Sequence, residues 1–226
     1  MTPGRPGSTP RTRLRRIPEK AVHDREQLDA VLDAGLIAHV AVVDFGASDG
    51  RVSEAQPYVV PVAYARDGDQ VLFHGSTGSR LFRALAAGAP TCLTVTLLDG
   101  LVVARSAFES SMHYRSAMVL GRCTVVAGEA REAALERVTE HLMPGRWPAA
   151  RPPLPKELAA TLVLALPLDE TSVKVSDGPP DDADDDVRLP IWAGTVPIRE
   201  AFGEPVDAPD LPDGLPVPDY VRRWRR

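Results

Sequence analysis

Residues 56–88, "QPYVVPVAYARDGDQVLFHGSTGSRLFRALAAG", set the fold class. Two apolar runs, 57–65 and 70–74, are separated only by Arg66, Asp67, Gly68 and Asp69. Four residues cannot hold a helical crossover, so the two runs must pair as an antiparallel hairpin with Asp-Gly in its turn. A short helix is then predicted over 80–87, closing at Gly88. Upstream, "HDREQLDAVLDAG" predicts a helix with Asp24 as cap and Gln27 three residues on, in the manner of a capping box. Leu28, Val31 and Leu32 recur at helical spacing and Gly35 is the expected stop. "IAHVAVV" follows as a strand, then a polar turn, "DFGASDGR", at 44–51.

Downstream, "TCLTVTLL" and "LVVARSAF" read as a second hairpin, with Asp99-Gly100 as its loop. "YRSAMVLGRCTVVAG" predicts one strand long enough to bend, with Gly121 as the kink. Residues 129–142 form an amphipathic helix with Leu135, Val138 and Leu142 on one face. "ELAATLVLALPL" and "TSVKVSDG" supply two more strands. Hairpins follow one another with no βαβ alternation. That pattern predicts a mainly β protein, an antiparallel barrel with helices packed at its ends.

The chain has 226 residues, enough for one domain, 1–226, with a buried core. Its 22 prolines crowd the ends, which predicts irregular tails at 1–14 and 203–226. "DGPPDDADDD" reads as an acidic loop, and "LPIWAGTVPI" after it is apolar enough to dock on the body. A net charge of −5 argues against general nucleic-acid affinity, and the basic ends read as solubilising tails. Cys92 and Cys123 each sit in an apolar run with no metal spacing, as buried thiols of a reducing compartment do. The N-terminus lacks a signal-like apolar core and no stretch is long enough to cross a bilayer, so the expected location is cytoplasmic, away from membranes.

Four stretches carry candidate chemistry. The first is "HGSTGSR", 74–80, at a strand end and helix start. Its glycines permit close backbone approach, Ser76, Thr77 and Ser79 offer hydroxyls, and Arg80 offers a bidentate fork. Together they suit a phosphate, although a plain capped helix start has the same residues. The Gly-Lys-Ser/Thr element of a Walker loop and the dinucleotide glycine spacing are both absent. The second is Tyr114, Arg115 and Ser116 at a strand start, with Tyr114 and Ser116 on one face and Arg115 on the other. The third is Pro61, which marks an edge, bulge or opening in a strand. The fourth pairs Trp192, an aromatic in a Pro/Gly-rich segment, with Lys174 among apolar neighbours. No metal-ligand spacing and no Gly-x-Ser-x-Gly elbow occur, which favours a cofactor that brings its own chemistry.

The segments "QPYVVPVAYARDGDQVLFHGSTGSR", "CLTVTLLDGLVVARSAFESSMHYRSAMVLGRCTVV", "VKVSDGPPDD" and "IWAGTVPI", in that order, resemble the pyridoxamine 5′-phosphate oxidase-related flavin-nucleotide-binding proteins, in the branch with nitroimidazole-reductase relatives. The resemblance implies a six-stranded antiparallel Greek-key split barrel that forms a homodimer with FMN at the subunit interface. It implies that Val60, Pro61 and Val62 line the flavin ring through backbone groups. His74, Ser76, Ser79 and Arg80 would lie by the ribityl phosphate, and Tyr114, Arg115 and Ser116 would complete the site. Lys174 and Trp192 would approach from the C-terminal part. The implied activity is an FMN-dependent oxidoreductase acting on a small molecule. The alternatives are a non-catalytic flavin-binding or sensing module and a split barrel for deazaflavin or haem. The segments that hold the substrate phosphate in true pyridoxamine phosphate oxidases have no counterpart here.

Overall fold

A computed structural model describes residues 4–44 and 55–224. The turn expected at 44–51 lies outside the described residues, except for Asp44 at a strand end. Among the described residues the strands are β1 (Ala21–Val22), β2 (Ile37–Asp44), β3 (Gln56–Asp67), β4 (Gln70–Ser76), β5 (Pro90–Val103), β6 (Ser111–Arg122), β7 (Thr124–Val125), β8 (Thr161–Pro167), β9 (Glu170–Ser176) and β10 (Gly194–Pro197). The helices are α1 (Arg25–Ala34), α2 (Arg80–Ala86), α3 (Ala130–Leu142), α4 (Arg146–Ala149), α5 (Pro155–Ala159) and α6 (Asp219–Arg222).

All pairings are antiparallel, in the order β1-β9-β6-β5-β2-β3-β4-β8-β7, with β10 on β5. β6 and β7 behave as one bent strand, and so do β8 and β9. Leu120 pairs with Glu170, and after the bend Thr124 pairs with Ala165. The two bent strands therefore run side by side and close a ring with β5, β2, β3 and β4. This ring is the six-stranded barrel. The kink expected at Gly121 falls one to two residues later, at Arg122–Cys123, where the chain passes from one half of the barrel to the other.

The interior follows from alternation. Val40, Leu93, Val119 and Thr171 form one buried row across four strands, and Val95, Ala117 and Val173 form the next. α1 plugs one end with Leu28, Val31 and Leu32. Asp24 caps it by accepting from the Glu26 N–H at 2.9 Å. Gly35 ends it with φ −77°, not in the left-handed form. A Cβ there would meet Val95 Cγ1 at 2.4 Å and the Tyr64 hydroxyl at 2.7 Å, so close approach is what requires the glycine. α3 covers the outside of β3, β4 and β8 with Ala134 and Val138.

Two Asp-Gly pairs behave differently. Gly68, with φ +58°, sits in the tight β3–β4 turn as expected. Asp99-Gly100 is not a hairpin loop. β5 runs unbroken through it, and Asp99 is the extra residue of a bulge between the Leu98–Tyr114 and Gly100–His113 pairs. The bulge lets Leu98 and Leu101 face the same side. Arg115 clamps Asp99 through two bonds, 2.7 and 2.9 Å, and Asp99 O accepts from the Ile198 N–H at 2.9 Å. The pair holds the Asp99 carboxyl below its ordinary pKa, chiefly through the hydrogen bonds from Arg115. The turn lies instead at 104–110.

"LPIWAGTVPI" docks as β10 along β5. The acidic loop before it is anchored at one residue. The Asp182 side chain is 4% exposed, accepts from the Arg105 N–H at 2.6 Å and pairs with its guanidinium at 2.8 Å. "ELAA" is helical, in α5 and just after, so the strand expected over 157–168 begins at Thr161. The N-terminal segment lies against β9: the Gly7 N–H donates to Thr171 O, and Arg11 pairs with Glu170.

Replacing Asp182 by Ala leaves a mostly buried guanidinium without its carboxylate. We expect a loss of about 1–3 kcal/mol, seen as a lower urea midpoint. An unchanged midpoint would mean that this loop does not hold the end of β5.

Candidate functional site

β3 positions the site. On one edge it pairs with β2 along Gln56–Asp44 to Ala63–Ile37, but on the other it meets β4 only from Tyr64 to Asp67. The edge from 56 to 63 has no strand partner among the described residues. Pro61 sits in that split, where its missing N–H costs no ladder bond. Val60 and Val62 flank it, so the backbone of all three borders the opening.

α2 rises beside the split. Its placement depends on Gly75: a Cβ there would come within 2.3 Å of the Phe82 ring. Phe82 also meets Phe73 edge-on at 5.9 Å. This packing sets Ser79 and Arg80, at the start of α2, opposite the inner face of β3. The Arg80 guanidinium lies 4.2 Å from the centre of the Tyr58 ring, a cation–π contact. Val42, Tyr58, Val60, Ser79, Arg80, Leu81 and Ala84 line a cavity of about 190 Å³ there. Its lining is mostly apolar and carries the Arg80 cation and the hydroxyls of Tyr58 and Ser79.

The expected phosphate residues divide. Ser79 and Arg80 meet Val60 in this cavity. His74 and Ser76 lie on the opposite face of β4, in line with buried Leu72. The Ser76 hydroxyl accepts from the Gly78 N–H at 3.1 Å and so shapes the turn into α2. His74 keeps more than a third of its surface exposed, yet desolvation by the surrounding chain lowers its pKa. It is neutral at physiological pH.

A second cluster lies on the outer face of the barrel. One row runs Ser172, Met118, Thr94, His39 and Pro61 across five strands. The next contains Lys174, Ser116 and Thr96, and the one after it Ser176, Tyr114 and Leu98. Pro61, Tyr114, Ser116 and Lys174 therefore share one face, and Lys174 Nζ lies 5.6 Å from the Tyr114 ring centre. Arg115 faces the other way and is engaged by Asp99. Trp192 precedes β10 and is 65% exposed. Its ring lies against Gly194, where a Cβ would come within 2.9 Å.

Tyr58 and His39 were not anticipated. Tyr58 alternates with Val60 and Tyr64 on the inward face of β3, a pattern present in the sequence. His39 is brought to Pro61 and Thr94 only by register.

Both cysteines are free. Burial raises both thiols, Cys123 to about 12, so neither is a thiolate at neutral pH. No group of His, Cys, Asp and Glu suited to a metal ion occurs among the described residues, and no described helix is long and apolar enough to cross a membrane.

The family described as pyridoxamine 5′-phosphate oxidase matches residues 24–175. Among solved structures, the chain is similar to the FAD and haem binding protein from Mycobacterium smegmatis, with 46% identity, a TM-score of 0.81, and coverage of 90% of this chain and 96% of that one. It is also similar to the flavocytochrome Anf3 from Azotobacter vinelandii, with 39% identity, a TM-score of 0.84, and coverage of 99% of each chain. A protein assigned to 5-nitroimidazole antibiotic resistance in Bacteroides thetaiotaomicron is 20% identical at a TM-score of 0.53, covering 69% of this chain and 86% of that one; it shares the fold. Among curated protein sequences, nothing matches the chain.

The lowered pKa of His74 has a sign. The unfolded chain binds a proton near pH 6.5 more readily than the folded one, so stability is full above about 6.5 and falls as pH drops toward the folded value. His74→Gln should flatten the fall in Tm below about pH 6.5. A variant with the same acid slope as the parent would remove His74 from the effect.

Proposed function

We propose a flavin-dependent function from one premise: the chain belongs to the pyridoxamine 5′-phosphate oxidase family. The observation that carries the reading is the Arg80–Tyr58 contact at the mouth of the split barrel, beside Ser79 and the unpaired edge of β3. Arg80 and Ser79 supply donors for a flavin phosphate. The freed backbone at Val60, Pro61 and Val62 supplies hydrogen-bonding groups for the polar edge of a flat ring. The outer-face residues Tyr114, Ser116 and Lys174 add a hydroxyl pair and a cation for the same ligand. Ser76 and Arg115 act behind this surface, shaping the turn and strand that carry it, and His74 faces away from the cavity.

The resemblance implies FMN, whereas the FAD and haem binding protein and the flavocytochrome are 46% and 39% identical to this chain. The two flavins share the isoalloxazine ring and the first phosphate, and the residues above address that shared half. We favour FAD on the weight of the relatives. Haem is proposed as a second group on the same grounds. Imidazole is one of the side chains that ligate haem iron, and among the described residues of the sheet His39 and His74 are exposed. The flavin when bound supplies hydride and electron chemistry. The protein's part is to orient it, exclude water and hold its phosphate. The reaction class proposed is oxidoreduction of a small molecule.

The cavity in one protomer, about 190 Å³, is smaller than the roughly 300 Å³ at which ligand sites begin. Beside the candidate residues lies an exposed apolar strip. Ile37, Val43 and Val59 mark one part of it, and Leu101, paired with Met112 on one side and Val196 on the other, marks another. A second copy of the chain on this face would cover the strip and deepen the groove, as a homodimer with a shared cofactor site requires.

Two measurements test the reading. The purified protein should release a flavin whose mass separates FAD, FMN and a deazaflavin, and a pyridine haemochromogen spectrum should report haem. A colourless protein that takes up no flavin would refute the assignment. Arg80→Ala should weaken flavin binding by about 1.5–3 kcal/mol, measured by flavin fluorescence titration. An unchanged dissociation constant would take Arg80 out of the site.

A further inference from the structure

A second cavity lies away from the candidate flavin site and shares no lining residue with it. It measures about 560 Å³, within the range of small-molecule sites. The end of α1 supplies Asp33 and Leu36, and the end of α3 supplies His141 and Leu142. The C-terminal segment forms the remaining wall with Phe202, Tyr220, Arg223 and Trp224. That segment leaves β10, runs exposed for some twenty residues and returns to dock here through its aromatics. Trp224 Nε1 donates to Pro144 O at 2.9 Å. Tyr220 packs on Gly145, whose φ of +84° and closeness to the Tyr220 Cβ both exclude a side chain.

The wall is chemically specific. Phe202, tilted, and Tyr220, edge-on, lie 5.8 and 6.0 Å from Trp224, ring centre to ring centre, which makes a three-ring aromatic cluster. Asp33, the carboxylate among the lining residues, takes two bonds from Arg66, at 2.5 and 2.8 Å, and Glu140 beside the cavity accepts from the N–H groups of Gly145 and Trp147. Arg223 is the cation among the lining residues; its Nε donates to Asp219 O, which steadies the guanidinium, and Arg146 donates to the Tyr220 hydroxyl nearby. His141 Nε2 must donate to Gly35 O, 2.7 Å away, because a carbonyl only accepts.

We propose that this cavity is a second ligand site, for a planar aromatic anion whose ring packs on Phe202, Tyr220 and Trp224 and whose carboxylate meets Arg223. The C-terminal segment is its clamp. The site is independent of the flavin reading.

The test is calorimetric titration of the full chain, with whatever flavin it carries, using 2-naphthoate and the neutral 2-naphthylmethanol. We expect one naphthoate per chain. Arg223→Gln should weaken naphthoate about tenfold and leave the alcohol unchanged, whereas Phe202→Ala should weaken both. Both variants alter exposed positions, so folding is checked by an unchanged Tm. No binding of naphthoate, or binding indifferent to either substitution, would overturn the proposal. Since the lining sets are disjoint, a chain purified without flavin gives the same titration, and failure of one reading leaves the other standing.

Discussion

The structure depends on two long strands that each serve both halves of the barrel. Closing a sheet into a barrel requires its strands to tilt and to stagger in register. Here β6 with β7, and β8 with β9, bend from one half to the other together, and they keep their pairing as they do so. On the other side β3 parts from β4 before Tyr64. The candidate residues Val60, Ser79 and Arg80 lie at this split, where the β3 edge from 56 to 63 has no strand partner among the described residues. Pro61 suits the gap, since it asks for one bond fewer.

Much of this was legible in the sequence because it is local. Hairpin spacing between 57–65 and 70–74 fixes an antiparallel sheet, and helical spacing of Leu28, Val31 and Leu32 fixes α1. What failed was also instructive. Asp67-Gly68 and Asp99-Gly100 carry the same dipeptide, but one is a turn and the other a bulge in a straight strand. The difference lies in partners distant in sequence. Arg115 holds the Asp99 carboxylate, and β10 lies so close over Gly100 that a Cβ would stand 2.9 Å from Val196 O. Nothing near residue 99 announces either contact. The acidic loop is similar: six of the ten residues in "DGPPDDADDD" are aspartates, yet Asp182 is the one placed in a buried pair with Arg105, and only the fold selects it.

The candidate site was half legible. Val60, Ser79 and Arg80 meet as expected, because a strand end followed by a helix start turns the chain back on itself. His74 and Ser76 share the same motif but point the other way, since a strand alternates faces and Gly75 is the residue turned toward α2. Motif reading groups residues by adjacency. A strand separates neighbours and joins residues two apart. For the same reason Tyr58, two residues from Val60, belongs to the site more closely than Val59 does.

The apolar surface beside the split bears on how such a site works. Val59 is 62% exposed and Trp192 65%, next to strands whose inner faces are fully buried. Single exposed apolar residues are ordinary, but here Leu101, Met112 and Val196 stand opposite one another across three strands. The bulge at Asp99 is what aligns Leu98 with Leu101 on this face. A residue pair that looks like a turn signal therefore serves to set apolar side chains on one face. That surface adjoins the candidate groove, which one chain alone leaves shallow. In the proposed homodimer, covering the surface and completing the groove are one physical event, so cofactor retention and subunit association should rise and fall together with protein concentration.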